Sequence, residues 1–137
     1  MPIDRIKHNG TEYKITEEDS GWIASELTEE FKPYKDNTSN APRYRKIGNI
    51  VHINGVVSPT VEIAGSSTHH VMFTLPEGFR PSRYMSILCP SYACESWMLT
   101  VSNNGEVKFS CARKAGAMIA VTPDAQLIFS AIFVADK

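Results

Sequence analysis

Apolar and polar residues alternate with period two along most of the chain, and helical periodicity is scarce, so the sequence reads as all-β. Residues 4–8 and 11–15 flank Asn9-Gly10, a pair suited to the positive φ values of a type I′ turn, and predict an N-terminal β-hairpin. A polar run, 16–20, follows as a hinge or one helical turn. Residues 22–27 and 30–34 are the next strand candidates, with Trp22, Ala24 and Glu26 opposing Ile23, Ser25 and Leu27. Residues 35–42 are a loop by composition. Arg43–Ile47 then turns through Gly48-Asn49 into a long strand, 50–57. Alternation there sends Val51, Ile53 and Val57 to the core and leaves Ile50, His52, Asn54 and Val56 on the other face.

The second half continues the pattern. A short β-prone stretch, 61–63, and a polar loop lead to 71–75, where Val71, Phe73 and Leu75 point one way. Leu75-Pro76-Glu77-Gly78-Phe79-Arg80-Pro81-Ser82 is a turn cassette: proline has no ladder donor and glycine tolerates positive φ, so the chain leaves one strand and crosses before the next. Strands are expected at 84–89, 97–102 and 106–112, with a loop at 90–96 and a turn at Asn103-Asn104-Gly105. Leu127–Val134 is apolar on both faces apart from Ser130, which suits a central strand or one whose outer face meets another subunit. About ten short strands without crossover helices predict an antiparallel β-sandwich of jelly-roll kind, with the N-terminal hairpin and hinge at 1–21 and the sandwich at 22–137.

The 137 residues fit one such domain. Fourteen basic residues nearly balance fifteen acidic ones without clustering, so no electrostatic footprint for nucleic acid or an anionic membrane is present. Apolar runs are too short to span a bilayer, and the first residues lack the apolar core of a signal peptide, which points to synthesis in the cytoplasm. Cys89, Cys94 and Cys111 are odd in number and lack zinc-like spacing, so they are expected as free thiols that pack as small hydrophobes.

Catalytic chemistry finds no foothold. No serine sits in a nucleophile elbow, and Glu62, Glu77, Glu95 and Glu106 yield no pair by spacing, so a non-enzymatic chain without cofactor or metal is expected. His69-His70 would point to opposite faces of a strand and cannot share one ion there. Arg43-Tyr44-Arg45-Lys46 places two arginines on one face, as an edge strand does to discourage pairing. The best candidate site is the loop 90–96 with Trp97, because a sugar needs an aromatic face for its apolar side and fixed polar groups for its hydroxyls. Tyr92 and Glu95 carry that reading. Trp97 either joins them or, sharing a face with Leu99 and Val101, is a large core residue. His52, Arg113 and Lys114 are secondary polar candidates that sequence does not place near the loop.

Two segments, Tyr44-Arg45-Lys46-Ile47-Gly48-Asn49 and Leu75-Pro76-Glu77-Gly78-Phe79-Arg80-Pro81, resemble the C-terminal head domain of phage tail-fibre and baseplate proteins, the receptor-binding part of tailed phages of Gram-positive bacteria. The likeness extends loosely from Gly21-Trp22 to Val134. Both are scaffold motifs that indicate an architecture and a setting. The resemblance implies a homotrimer in the virion tail, with other tail or baseplate subunits and a host cell-wall saccharide as partners. Such heads generally end long fibre proteins, whereas here residues 1–21 alone precede the domain, so the resemblance leaves the mode of attachment open. A purely structural tail subunit is the alternative, and a tail-associated cell-wall hydrolase the third reading.

Overall fold

The computed structural model describes the backbone of residues 5–8, 10–14 and 18–135, with side chains at residue 10 and from 18 onward. It is an all-β protein in which two antiparallel sheets pack face to face. Strands β1 (Arg5–His8) and β2 (Thr11–Lys14) form a separate hairpin, with His8 opposite Thr11 and Gly10 at φ 79°. Asp4, Asn9 and Ile15 of the expected hairpin, with Thr16 and Glu17 of the expected hinge, lie outside the described residues.

The first sheet of the sandwich contains β3 (Ile23–Ala24), β4 (Phe31–Pro33), β5 (Arg43–Ile47), β6 (Ile50–Pro59) and β12 (Leu127–Val134), in the order β12-β6-β5-β3. Between β4 and β5, the expected loop winds through two 3-10 turns, Tyr34–Asp36 and Thr38–Asn40. Strand β6 pairs with β12 along one flank, while β5 and then β4 share the other. The β5–β6 corner is a two-residue turn in which Gly48 takes φ 59°, a left-handed conformation that penalises residues with a Cβ.

The second sheet holds β7 (His70–Thr74), β8 (Met85–Cys89), β9 (Ser96–Val101), β10 (Glu106–Lys114) and β11 (Ala117–Met118). Here β8, β9 and β10 are a meander, and β7 lies beside β10 rather than beside β8. That is a Greek-key arrangement, and the cassette from Leu75 to Ser82 is its long connection, carrying the chain past two strands, roughly 14 Å. A register shift opposite Val107 and Lys108 leaves Met72 as an extra residue on β7. The bulge turns Met72 inward as well as Phe73, and both are fully buried. A second shift between Ser110 and Arg113 holds Cys111 at φ 53°.

The core lies between the inner faces. Val51, Ile53 and Val57 of β6, Leu127 and Phe129 of β12, Phe73 and Leu75, Trp97, Leu99 and Val101, and Val107 and Phe109 pack there. Trp97 meets Phe109 and Phe129 at ring-centroid distances of 5.5 and 6.2 Å. Strand β12 pairs along its length with β6 alone, so it flanks its sheet instead of lying centrally. Single bridges from Ser91 to Leu127 and from Pro81 to Ala135 fasten both ends of its other side to segments of the second sheet. Its inner residues are buried, whereas Ile132 and Val134 are each 65% exposed.

Strand β5 corrects the edge-strand reading of its basic run. Residues 18–25 run along its outer flank, with Ile23 opposite Tyr44, Ala24 opposite Arg43, a bridge between Asp19 and Ile47, and the Ser20 N–H donating to the Lys46 carbonyl at 2.9 Å. Arg43 and Arg45 therefore guard no edge.

Candidate functional site

The β8–β9 connection is short and held at several points. Pro90 lacks a ladder donor, so pairing stops at Cys89 and Trp97 and the loop 90–95 leaves the sheet. Ser91 bridges to Leu127, its Oγ accepts the Ala93 N–H at 3.0 Å, and the Glu95 N–H donates to the Arg113 carbonyl at 2.9 Å. Beneath, Cys94 and Trp97 are buried, and the Trp97 Nε1–H donates to the Pro90 carbonyl at 3.0 Å. On this support Tyr92 is 90% exposed, and Glu95 is exposed beside it. Burial pushes the Cys94 thiol up and the Cys89 thiol up to about 12, so both stay protonated and inert.

Two of the expected site residues leave this group. Trp97 is fully buried against Phe109 and Phe129, so its ring offers no surface to a ligand; its contribution is to hold the loop from below. Strand alternation with Leu99 and Val101 already favoured that place. His52 lies on β6, on the outer face of the other sheet. Arg113 does come alongside, since its carbonyl holds Glu95 and its exposed side chain projects from β10. Lys114 faces Ala117 where the β10–β11 hairpin closes.

A second constellation covers the outer face of the first sheet, and sequence reasoning missed it. Trp22 packs over β5 and β6: the Arg43 guanidinium sits 4.1 Å from its ring centroid, that of Arg45 5.8 Å, and the His52 ring 5.3 Å. The His52 Nε2 is 2.9 Å from the Ser130 Oγ, and the Arg43 Nε donates to the Asn54 Oδ1 at 3.2 Å. Arg45 forks onto Asp19 through Nε and Nη2. That hydrogen bond, with a further one from the Gly21 N–H, holds the Asp19 carboxyl down at about 2. Beside Arg43, Asn54 and Ser130 lies a shallow cleft of about 350 Å³. Toward the Gly48-Asn49 turn the face becomes apolar, because register sets Ile50 beside both Ile47 and Val134, with Ile132 one step along. All four are exposed. Alternation places each of these side chains outward, but which strand lies beside β5 is a tertiary fact that it does not carry.

The two scaffold motifs meet. Tyr44 and Phe79 pack edge to face at 5.1 Å, and Lys46 sits 5.7 Å above the Phe79 ring while its Nζ donates to the Gly78 carbonyl at 2.5 Å. The crossing segment thus closes one end of the sandwich, with Lys46 bound into that closure. His70 opens β7 and its Nδ1 contacts the Glu30 Oε2 at 2.7 Å, while His69 stays exposed in the preceding loop. Among the described residues no group of three or more His, Cys, Asp or Glu could hold a metal ion, and no helix is long and apolar enough to cross a membrane.

No protein-family model matches the chain, and no curated protein matches it significantly.

Proposed function

We propose that this chain is a non-enzymatic binding head of a phage or prophage tail fibre or baseplate, and that it engages a host cell-wall saccharide through the loop 90–95. The observation that carries the binding reading is the rigid display of Tyr92 and Glu95. A ring that is 90% exposed normally has freedom to lose on binding, but here the backbone beneath it is fixed by the Ser91, Glu95 and Trp97 contacts, which lowers the ordering cost. The ring face suits the apolar side of a pyranose, and the carboxylate of Glu95 accepts from hydroxyls. Arg113 adds a donor at the edge. The setting, a virion tail, rests on the resemblance of the two motifs.

Such a shallow site buries little area, so single-site affinity is about millimolar, and adsorption depends on several heads acting together. Homotrimerisation supplies that multiplicity. Support for assembly comes from the exposed apolar group of Ile47, Ile50, Ile132 and Val134 on the outer face of the first sheet. Light scattering on the purified protein tests this part, and a monomeric mass at micromolar concentration removes it.

The double substitution Tyr92→Ala and Glu95→Ala should abolish adsorption to host cell walls while leaving mass and melting temperature nearly unchanged. Undiminished adsorption would move the site elsewhere. The second reading, a structural tail or baseplate subunit, is favoured by the same apolar face, and a glycan array without selective binding by the parent protein would decide for it.

A further inference from the structure

A cleft of about 610 Å³ opens between the two sheets, away from the loop 90–95 and on the opposite side of β5 from Trp22. One wall is residues 24–28. It is tied to the first sheet by Ser25, whose N–H and Oγ both donate to the Pro42 carbonyl, and to the second by Thr28, whose N–H and Oγ donate to the Met72 and Val71 carbonyls. The other wall is the end of β7 and the start of the crossing segment, with Tyr44 and Arg80 completing it. Both walls are therefore fixed.

Arg80 is seated, not loose. Its Nε donates to the Leu75 carbonyl at 2.8 Å, and the Leu75 N–H in turn donates to the Gly105 carbonyl at 2.8 Å. Gly105, at φ 90°, leaves the space the arginine occupies: a Cβ there would lie 2.6 Å from the Arg80 Nε and 2.4 Å from the Leu75 oxygen. With Nε spent, the two terminal nitrogens of the fork remain, and no hydrogen bond or carboxylate engages them among the described residues. The Tyr44 hydroxyl likewise makes no hydrogen bond among them, while Leu27 and Pro76 give the cleft apolar sides. Among the described residues the single acidic one of the lining is Glu26, which is exposed and not bonded to Arg80.

From this geometry we infer that the cleft is a second binding site, taking a small hydroxylated ligand with one negatively charged oxyanion, which the terminal nitrogens of Arg80 grip end-on. A planar fork held in one orientation matches the two oxygens of a carboxylate, and the fixed walls keep it there. Tyr44 contributes a hydroxyl to the ligand's own hydroxyls. Glu26 limits the charge, since a second negative charge at the mouth meets its carboxylate. An acidic sugar such as a uronate fits this description better than a neutral hexose or a phosphate dianion. The inference stands on the cleft alone and applies to either reading of the chain above.

The test is an NMR titration of the whole protein with glucuronate, glucose and glucose 6-phosphate at low salt, following the Arg80 Nε–H and the amides of Leu27 and Thr28. Glucuronate should bind in the range of about 1–10 mM, glucose at least tenfold more weakly, and glucose 6-phosphate more weakly than glucuronate. Arg80→Lys, which keeps the charge and loses the fork, should cost glucuronate about tenfold. Because that change also removes the bond to Leu75, Glu26→Gln is the companion: on an exposed residue it should tighten glucuronate about threefold and glucose 6-phosphate by more. Equal binding of glucose and glucuronate, or no response to Glu26→Gln, would overturn the inference. Shifts confined to Tyr92 and Glu95 would overturn it too, while leaving the proposed saccharide site intact.

Discussion

Replacing Trp97 with phenylalanine separates support of the loop from contact with a ligand. The substitution removes the indole N–H, so the Pro90 carbonyl loses its donor at 3.0 Å; because Pro90 is exposed and water can take the donor's place, the loss is that of an ordinary hydrogen bond, about 0.5–1.5 kcal/mol. It also vacates about 40 Å³, worth about 1 kcal/mol if the surroundings do not collapse. They have little freedom to do so, because the neighbours are the rings of Phe109 and Phe129, themselves buried between the sheets. The total is about 1.5–2.5 kcal/mol, or about 4–8 °C in melting temperature for a domain of this size. Urea denaturation followed by far-UV circular dichroism measures it, and hydrogen exchange at the Glu95 amide should accelerate because its loop has lost an anchor. Tyr92→Ala, in parallel, should change stability by less than about 0.5 kcal/mol. A loss below about 0.5 kcal/mol for Trp97→Phe, with binding to cell walls abolished, would show that the indole serves a ligand and would refute the reasoning.

Three further outcomes are expected. Ala115 takes φ 52° beside Gly116 at φ 79° in the two-residue turn between β10 and β11, so Ala115→Asn, which tolerates that region better, should stabilise by about 0.5–1 kcal/mol in the same urea assay. Asp19 has its pKa lowered from the ordinary 3.8 to about 2 by Arg45, so its support of the fold is fully present above pH 3.8 and is lost as pH falls through 2; carboxyl-carbon NMR should find that midpoint, and Arg45→Ala should return it upward. Burial raises the Cys89 and Cys94 thiols, so a thiol reagent at pH 8 should modify Cys111 first in the native protein and all three only in denaturant, while pH above 9 favours unfolding as Cys89 is held protonated.

Strand positions were largely legible because alternation is a local signal. Val51, Ile53 and Val57 fall inward as their period demands, and Gly48-Asn49 and Asn103-Asn104-Gly105 turn where their backbone freedom allows. Met72 was not legible, because a bulge on β7 breaks the period on which the reading of Val71, Phe73 and Leu75 relied. The apolar outer face of Leu127–Val134 was visible, but sequence could not tell a central strand from a flanking one. For the site, an exposed Tyr92 and Glu95 followed from composition, whereas the Trp22–Arg43–His52 stack depends on which strands become neighbours. Arg80 read as part of a turn, since nothing local reveals that its side chain spans to Leu75 above Gly105.

The route of the chain also sets an order of assembly. Strands β8, β9 and β10 follow one another through short connections, so the second sheet can begin as a local meander. The first sheet cannot. His52 and Ser130, diagonal neighbours across β6 and β12 in which His52 stands opposite Ile132 and Ser130 opposite Asn54, are separated by 78 positions, and closing so long a loop must precede any gain from pairing. Until β12 arrives, one flank of β6 has no partner strand and Val51, Ile53 and Val57 lack the neighbours that β12 provides. Docking of β12 is then a late step, folding proceeds on a scale of milliseconds to seconds, and substitutions in β12 such as Phe129→Leu act mainly by accelerating unfolding.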